Sequence, residues 1–217
     1  MTTTRREIIA LAAAASGMAA LAAHPAIAQD AEEADAAAPE APKTYALGDI
    51  ALGDENAPVT LFEYVSYSCP ACRAFHERVF PSLKEEYIDT GKVRLIQRDF
   101  IRNRYDLWAA MLARCGGERG YYPITDALFK RQDVWARAQD PTEELMKIGR
   151  ANGLSPAMMR ECLSDQDFAR AVVTEYQTNR ETDGVEATPS FVLDGQTYRG
   201  ALPFDELSEL LEEALAS

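Results

Sequence analysis

The chain is expected to fold as an α/β domain: a strand–helix–strand unit, a helical insertion, then a closing hairpin and helix. Three observations predict this. The β-rich run Val59–Val65 is apolar on both faces and stops just short of Cys69-Pro70-Ala71-Cys72. A second run, Val93 to Phe100, follows a helical stretch. Strand signals then vanish over 101–183 and return only at Ser190–Leu193 and Gln196–Tyr198.

Composition narrows the function classes. The 217 residues carry 22 Lys+Arg against 35 Asp+Glu, a net charge of −13. That balance argues against binding nucleic acid or an anionic membrane surface, both of which select basic faces. A hydrophobic content of 47% is enough for a core and excludes wholesale disorder. Four cysteines are too few for a disulfide-dense miniature scaffold.

Residues 1–28 read as an export signal. Arg5 and Arg6 supply a positive start, Ile8 to Ala23 an uncharged alanine-rich stretch, and Ala26-Ile27-Ala28 a cleavage site. The apolar stretch is shorter than the ~20 residues a membrane span needs, so the mature protein is not expected to cross a membrane. Thr4-Arg5-Arg6-Glu7-Ile8-Ile9 fits the twin-arginine export route and the general secretory route equally. Either route leads out of the cytoplasm, most simply to a bacterial periplasm, where disulfides persist. Without Arg5, Arg6 and Glu7 the mature chain has a net charge of −14. Residues 29–43, acidic and rich in Ala and Pro, bury too little apolar surface to offset their ordering entropy and read as a flexible tether.

Residues 44–217 fit one domain. The apolar pattern of Val59–Val65 belongs to a central strand buried on both sides. Ser66-Tyr67-Ser68 turns the chain, and the CxxC opens a helix reaching about Thr90. Pro70 suits a first helical turn, where its missing N–H is no loss. Pro81 should kink the helix and Gly91 should stop it. Strand, helix and strand with short links make a parallel βαβ pair. In the insertion, about 101–183, Trp108, Met111, Leu112 and Cys115 share one helical face, and Leu145 and Ile148 begin another, closed by Gly153. Ser155 caps a third helix with Pro156 just inside and Met158, Met159 and Cys162 facing inward. Phe168, Val172, Tyr176 and Asn179 mark a fourth. Asp194-Gly195 is a hairpin turn, and Phe204, Leu207, Leu211 and Leu215 line a terminal amphipathic helix. With the insertion set aside, the order is thioredoxin-like: βαβ, then ββα.

The chemistry lies at the CxxC. The first thiol sits where free helical N–H groups and the helix dipole favour negative charge, so its pKa should fall. The thiolate attacks a disulfide, or leaves easily from one. Cys69 is therefore expected to be the exposed nucleophile, and Cys72, one turn inside, the resolving thiol. Glu63 interrupts an apolar strand six residues before Cys69. A buried carboxylate needs compensation or a proton, and moving protons to or from Cys72 would explain it. An ordinary acid at a strand end, or one paired with Lys, is the alternative. Thr188-Pro189 directly before a strand marks a special bond, and in this context a cis one.

Tyr64-Val65-Ser66-Tyr67-Ser68-Cys69-Pro70-Ala71-Cys72, with Thr188-Pro189 far downstream, resembles the DsbA-like thiol–disulfide oxidoreductases, which are thioredoxin-fold proteins with a helical insertion. The resemblance covers 44–217. It implies that Glu63 is the family's buried acid and Pro189 its cis-proline. It also implies that the Thr188 backbone pairs with an extended substrate segment beside Cys69, with Pro70 and Ala71 flanking it. Ala71 stands where the best-known oxidases carry a thiolate-stabilising histidine, which puts the strength of oxidation in question. By the same resemblance the substrates are unfolded or partly folded exported proteins with cysteines. A DsbB-type membrane quinone reductase would reoxidise the protein, and no bound cofactor is needed.

Cys115 and Cys162 both face inward within the insertion. In an oxidising compartment they are expected to pair as a structural disulfide, as in some DsbA-like relatives; a buried, inert, unpaired couple is the alternative. A zinc site is not expected, because structural zinc usually needs two short-spaced pairs and only one is present. His76, one turn beyond Cys72, reads as a surface or packing residue. The leading expectation is a periplasmic dithiol oxidase working through Cys69 and Cys72. A reductase or isomerase using the same site is the nearest rival, and a non-enzymatic CxxC carrier of metal or peptide is the rival from another class.

Overall fold

The computed structural model describes residues 45–217. The expected export signal, 1–28, and the whole of the expected tether, 29–43, lie outside the described residues, as does Thr44. Five strands form one sheet: β1 (Ala51–Leu52), β2 (Val59–Val65), β3 (Val93–Asp99), β4 (Ser190–Leu193) and β5 (Gln196–Arg199), in the order β1-β3-β2-β4-β5. β2 and β3 run parallel and every other pairing is antiparallel. This is the βαβ-plus-hairpin arrangement expected from the sequence. β1 was not expected: two residues are too short to show a period. The Tyr122 hydroxyl donates to the Ile50 carbonyl beside it (2.7 Å).

The period of two along β2 sorts its side chains. Val59 and Leu61 join Phe75, Leu83, Leu95, Leu207 and Leu211 in one core. Phe62 and Tyr64 pack instead with Val192, Phe100 and Tyr176. Glu63 therefore belongs to the face that receives the CxxC helix. It pairs in register with Gln97 of β3 and Phe191 of β4.

The CxxC helix is α1 (Pro70–Arg78), broken at Val79 before the short α2 (Phe80–Leu83) and a π-helical turn, Lys84–Ile88. Pro81, without an amide hydrogen, sits in the first turn of α2, so the interruption is a fresh helix start rather than a bend. Gly91 ends the stretch with φ +74°. Phe204–Leu215 forms the terminal helix, and the Asp194-Gly195 turn has positive φ at both residues, as a type I′ hairpin requires.

The insertion is wholly helical: α3 (Arg104–Cys115), α4 (Gly117–Lys130), α5 (Gln132–Trp135), α6 (Pro141–Ala151), α7 (Pro156–Ser164) and α8 (Gln166–Thr182), which makes the terminal helix α9. α4 and α5 were not anticipated. Gly116, Gly117, Gly120 and Pro123 read locally as breakers, but α4 buries Tyr121, Ile124, Thr125, Leu128 and Phe129. Packing overrides a weak propensity. Ser155 caps α7, accepting from the Met158 amide at 3.1 Å. The inward face of α7 needs one correction: Met159 and Cys162 are buried, whereas Met158 is 42% exposed. Adjacent helical residues point about 100° apart, so Met158 and Met159 cannot share a face. Cys115 and Cys162 are disulfide-bonded, with Cα atoms 6.1 Å apart.

Candidate functional site

The turn between β2 and α1 is held from the insertion. The buried Asp106 carboxylate accepts from Ser66 Oγ (3.0 Å), the Ser68 amide (2.8 Å) and the Arg102 amide (3.1 Å). Gln132 Nε2 donates to the carbonyls of Tyr67 (2.7 Å) and Cys69 (2.9 Å). The turn is therefore fixed before the cysteines begin. Neither Asp106 nor Gln132 was singled out in the sequence: each acts across about forty or more residues, and no local pattern marks it.

Cys69 is the N-cap of α1 with extended φ/ψ (−82°, 119°), and Pro70 fills the first helical position. Hydrogen bonding from the Cys72 thiol is the main influence holding the Cys69 thiol down, to about 5; burial opposes it, and Thr188 and the backbone N–H groups of Cys72 and Ala71 add support. This is the helix-start effect expected from the motif. Cys72 is fully buried. Burial pushes its thiol well up; donation to Cys69 and the nearby Cys69 charge push the same way, as does Glu63 when it is ionised. Both residues are free thiols and both are buried: Cys69, expected to be exposed, is only 6% exposed, because Thr188 lies against its sulfur. A low first thiol and a high second thiol make an asymmetric pair.

The peptide bond Thr188–Pro189 is cis. It brings the Thr188 carbonyl within 3.5 Å of Cys69 Sγ. Pro70 and Ala71 are exposed at the rim, and Pro189 is buried at the start of β4. The elements thus bring together Cys69, Cys72, Pro70, Ala71, Thr188 and Pro189, although 116 residues separate Cys72 from Thr188. Cys115 and Cys162 belong to the same apolar cluster as Cys69 and Cys72, but lie on α3 and α7 and are bonded to each other.

Glu63 is fully buried and, among the described residues, has no Lys or Arg partner. Its Oε2 lies 3.0 Å from Gln97 Nε2, which donates to it, and its Oε1 lies 3.1 Å from His76 Nε2. Gln97 Nε2 is also 2.8 Å from His76 Nε2. His76 was expected at the surface or in packing. It does pack, stacked on Phe129 with ring centroids 4.1 Å apart, but its side chain is only 6% exposed and closes a polar triangle with Glu63 and Gln97. The spacing Cys72–His76, four residues on one helical face, was the available signal. Among the described residues no three His, Cys, Asp or Glu side chains converge as a metal site.

A parallel–antiparallel sheet that sets a dithiol at the start of its first long helix, opposite a cis-proline, defines a thioredoxin-fold dithiol protein. A family model described as Thioredoxin matches residues 46–213, and the chain belongs to that family. It is 33% identical over 169 residues to a Rickettsia typhi protein provisionally named a protein-disulfide oxidoreductase, covering 77% of this chain and 62% of that one. The chain spans about three fifths of the length of that relative and its Rickettsia counterparts. Among solved structures it is similar to Wolbachia pipientis alpha-DsbA1, with TM-score 0.72, 29% identity, and 79% and 94% of the two chains covered. Oxidised BdbD from Bacillus subtilis shares the fold at TM-score 0.71 and 22% identity, over 80% of this chain and 97% of that one.

Proposed function

We propose that this protein is a DsbA-type thiol–disulfide oxidoreductase that acts outside the cytoplasm as a dithiol oxidase of exported proteins. The observation that carries the reading is the asymmetry of the pair: the Cys69 thiol held at about 5, the buried Cys72 thiol pushed well up. With the pair oxidised, a substrate thiolate attacks Cys69 Sγ. The Cys69–Cys72 bond breaks, Cys72 leaves with the electron pair, and its sulfur takes up one proton. A second substrate thiolate then attacks the substrate sulfur of the mixed disulfide, and Cys69 leaves as a thiolate. Two electrons pass from the two substrate thiols to the protein. One of their protons ends on Cys72 and the other in solvent. The Cys69 thiolate is a good leaving group, which favours release of the oxidised substrate.

Thr188 and cis-Pro189 supply the wall beside Cys69 against which an extended substrate segment would pair, with Pro70 and Ala71 at its rim. Among the described residues no helix is long and apolar enough to cross a membrane. Reoxidation falls to a DsbB-type membrane quinone reductase, which takes the two electrons. The relatives named as protein-disulfide oxidoreductases and the alpha-DsbA1 structure support this reading.

A thiol near 5 lies between about 7 in thioredoxin and about 3.5 in DsbA. The reduction potential of Cys69–Cys72 in the mature protein, titrated against glutathione, should accordingly fall between those of DsbA and thioredoxin, about −120 and about −270 mV. A value near −270 mV would make the protein a thioredoxin-like reductant and overturn the oxidase direction.

A further inference from the structure

The first exchange step leaves a question of proton supply. Cys72 leaves Cys69 as a thiolate inside a fully buried site. A substrate segment lying along Cys69 and Thr188 covers the open side. Behind the cysteines, however, a cavity of about 400 Å³ lies between α1–α2 and α4, bounded by Leu52, Phe80, Tyr122 and Pro123 and reaching His76 and Gln97. A second, of about 360 Å³, meets the same histidine between Phe80 and Phe129. Neither is lined by Pro70, Ala71, Thr188 or Pro189. The exposed Pro123 and Asp126 stand at the edge of the first cavity, giving it access to solvent. Its lining is mostly apolar, and His76 and Gln97 bring polar side chains to it.

The triangle of Glu63, His76 and Gln97 also carries a proton count. If Gln97 presents its NH₂ group, His76 Nε2 must accept from it, and the His76–Glu63 contact then needs a proton on the carboxyl. If the amide is turned to present oxygen, the Gln97–Glu63 contact needs that same proton. Whichever way the amide lies, all three contacts are hydrogen bonds only with a proton on Glu63. The triangle can thus hold one transferable proton, on a carboxyl whose charge is felt at Cys72.

We propose that His76 is a proton relay between this cavity and Glu63, so that Cys72 is protonated from the side away from the substrate. His76 acts through Glu63 and never touches the reacting sulfurs; it is a positioning residue. Glu63 gives its proton to the departing Cys72 thiolate, and His76 reloads Glu63 with a proton from water in the cavity. In reoxidation the same path runs outward. The titratable groups facing His76 are Glu63 from β2, Tyr122, Asp126 and Lys130 from α4, Lys84 from the π-helical turn and Glu77 from its own helix. The proposal rests on the oxidoreductase reading above.

The test measures the rate at which a dithiol peptide reduces the oxidised mature protein from pH 5 to 9, for wild type, His76→Ala and His76→Gln, with and without free imidazole. His76→Ala should be at least about tenfold slower than wild type at pH 7, a conservative figure for losing a proton-transfer group. Imidazole, small enough to enter the cavity, should restore most of the rate. His76→Gln keeps a donor for Glu63 but carries no titrating proton. Its rate relative to wild type should fall steadily as pH rises, and imidazole should not help it. Alkylation of Cys69 should titrate alike in all three. Should His76→Ala fail to fold, the pH profile of His76→Gln decides. A rate within twofold of wild type, a loss constant across pH, or a folded His76→Ala indifferent to imidazole would overturn the relay. A wild-type protein that exchanges no disulfide would overturn the oxidoreductase reading itself, a distinct result.

Discussion

Two cysteine pairs occupy one protein and meet opposite fates, and helix ends account for the difference. Cys69 caps the N-terminus of α1, where unsatisfied N–H groups favour a thiolate. Cys115 is the last residue of α3, and Cys162 lies in the last turn of α7. There the free carbonyls make the helix end negative and disfavour a thiolate. Both are buried among apolar neighbours such as Leu112, Met111 and Met159. Neither sulfur sits at a helix N-terminus, the position that favours a thiolate at Cys69, so the bond between them lacks the feature that drives exchange. The first pair has the environment for exchange, the second for persistence.

Single changes should separate the pairs most sharply. Cys69→Ser removes the attacked sulfur and should lower disulfide exchange with a dithiol peptide roughly a thousandfold or more. The double change Cys115→Ala, Cys162→Ala should leave the same rate within about twofold. A large rate loss in the double variant would mean that the insertion's bond takes part in electron transfer and would break the comparison. Its effect should appear in stability instead. The bond closes a loop with a sequence separation of 47, for which chain entropy gives about 4 kcal/mol as an upper figure. Urea unfolding of the double variant should show a lower midpoint with a loss up to that size. An unchanged midpoint would mean that the surrounding core already restrains the unfolded chain.

How far the sequence revealed all this depended on how local each determinant is. The CxxC at a strand-to-helix junction is local, and so is the Asp194-Gly195 turn; both were legible. Glu63 was visible as a charge in an apolar strand. Its compensation was not, because Gln97 reaches it through the sheet register and His76 through the packing of α1 on the sheet. Cys72 and His76 share a helical face, but a lone histidine in an amphipathic stretch says nothing about what lies across from it. α4 was hidden by its own glycines and Pro123, and with it the roof of the cavity behind the dithiol. Asp106 and Gln132 fix the active turn from within the insertion, which gives that insertion a role in the site that no motif announces.

The smallest expected effect tests the asymmetry within the first pair. Iodoacetamide should modify Cys69 of the reduced protein with a midpoint near pH 5, while Cys72 stays unmodified through neutrality. The stability consequence has a definite sign. The Cys69 thiol is lower in the folded protein than in the unfolded chain, whose ordinary value is about 8.5. Its contribution to the reduced fold is complete above that ordinary value and is lost as pH falls toward 5. Cys72, shifted upward, behaves oppositely: the reduced fold loses stability above the ordinary thiol range, where only the unfolded chain would ionise that sulfur. The oxidised protein has neither contribution. The thermal midpoint of the reduced form minus that of the oxidised form should therefore rise from pH 5 toward about 8.5 and flatten or turn beyond it. A difference that stays level across that window would mean that the Cys69 thiolate is no better held in the fold than in the unfolded chain, and the contrast drawn from the helix ends would then fail.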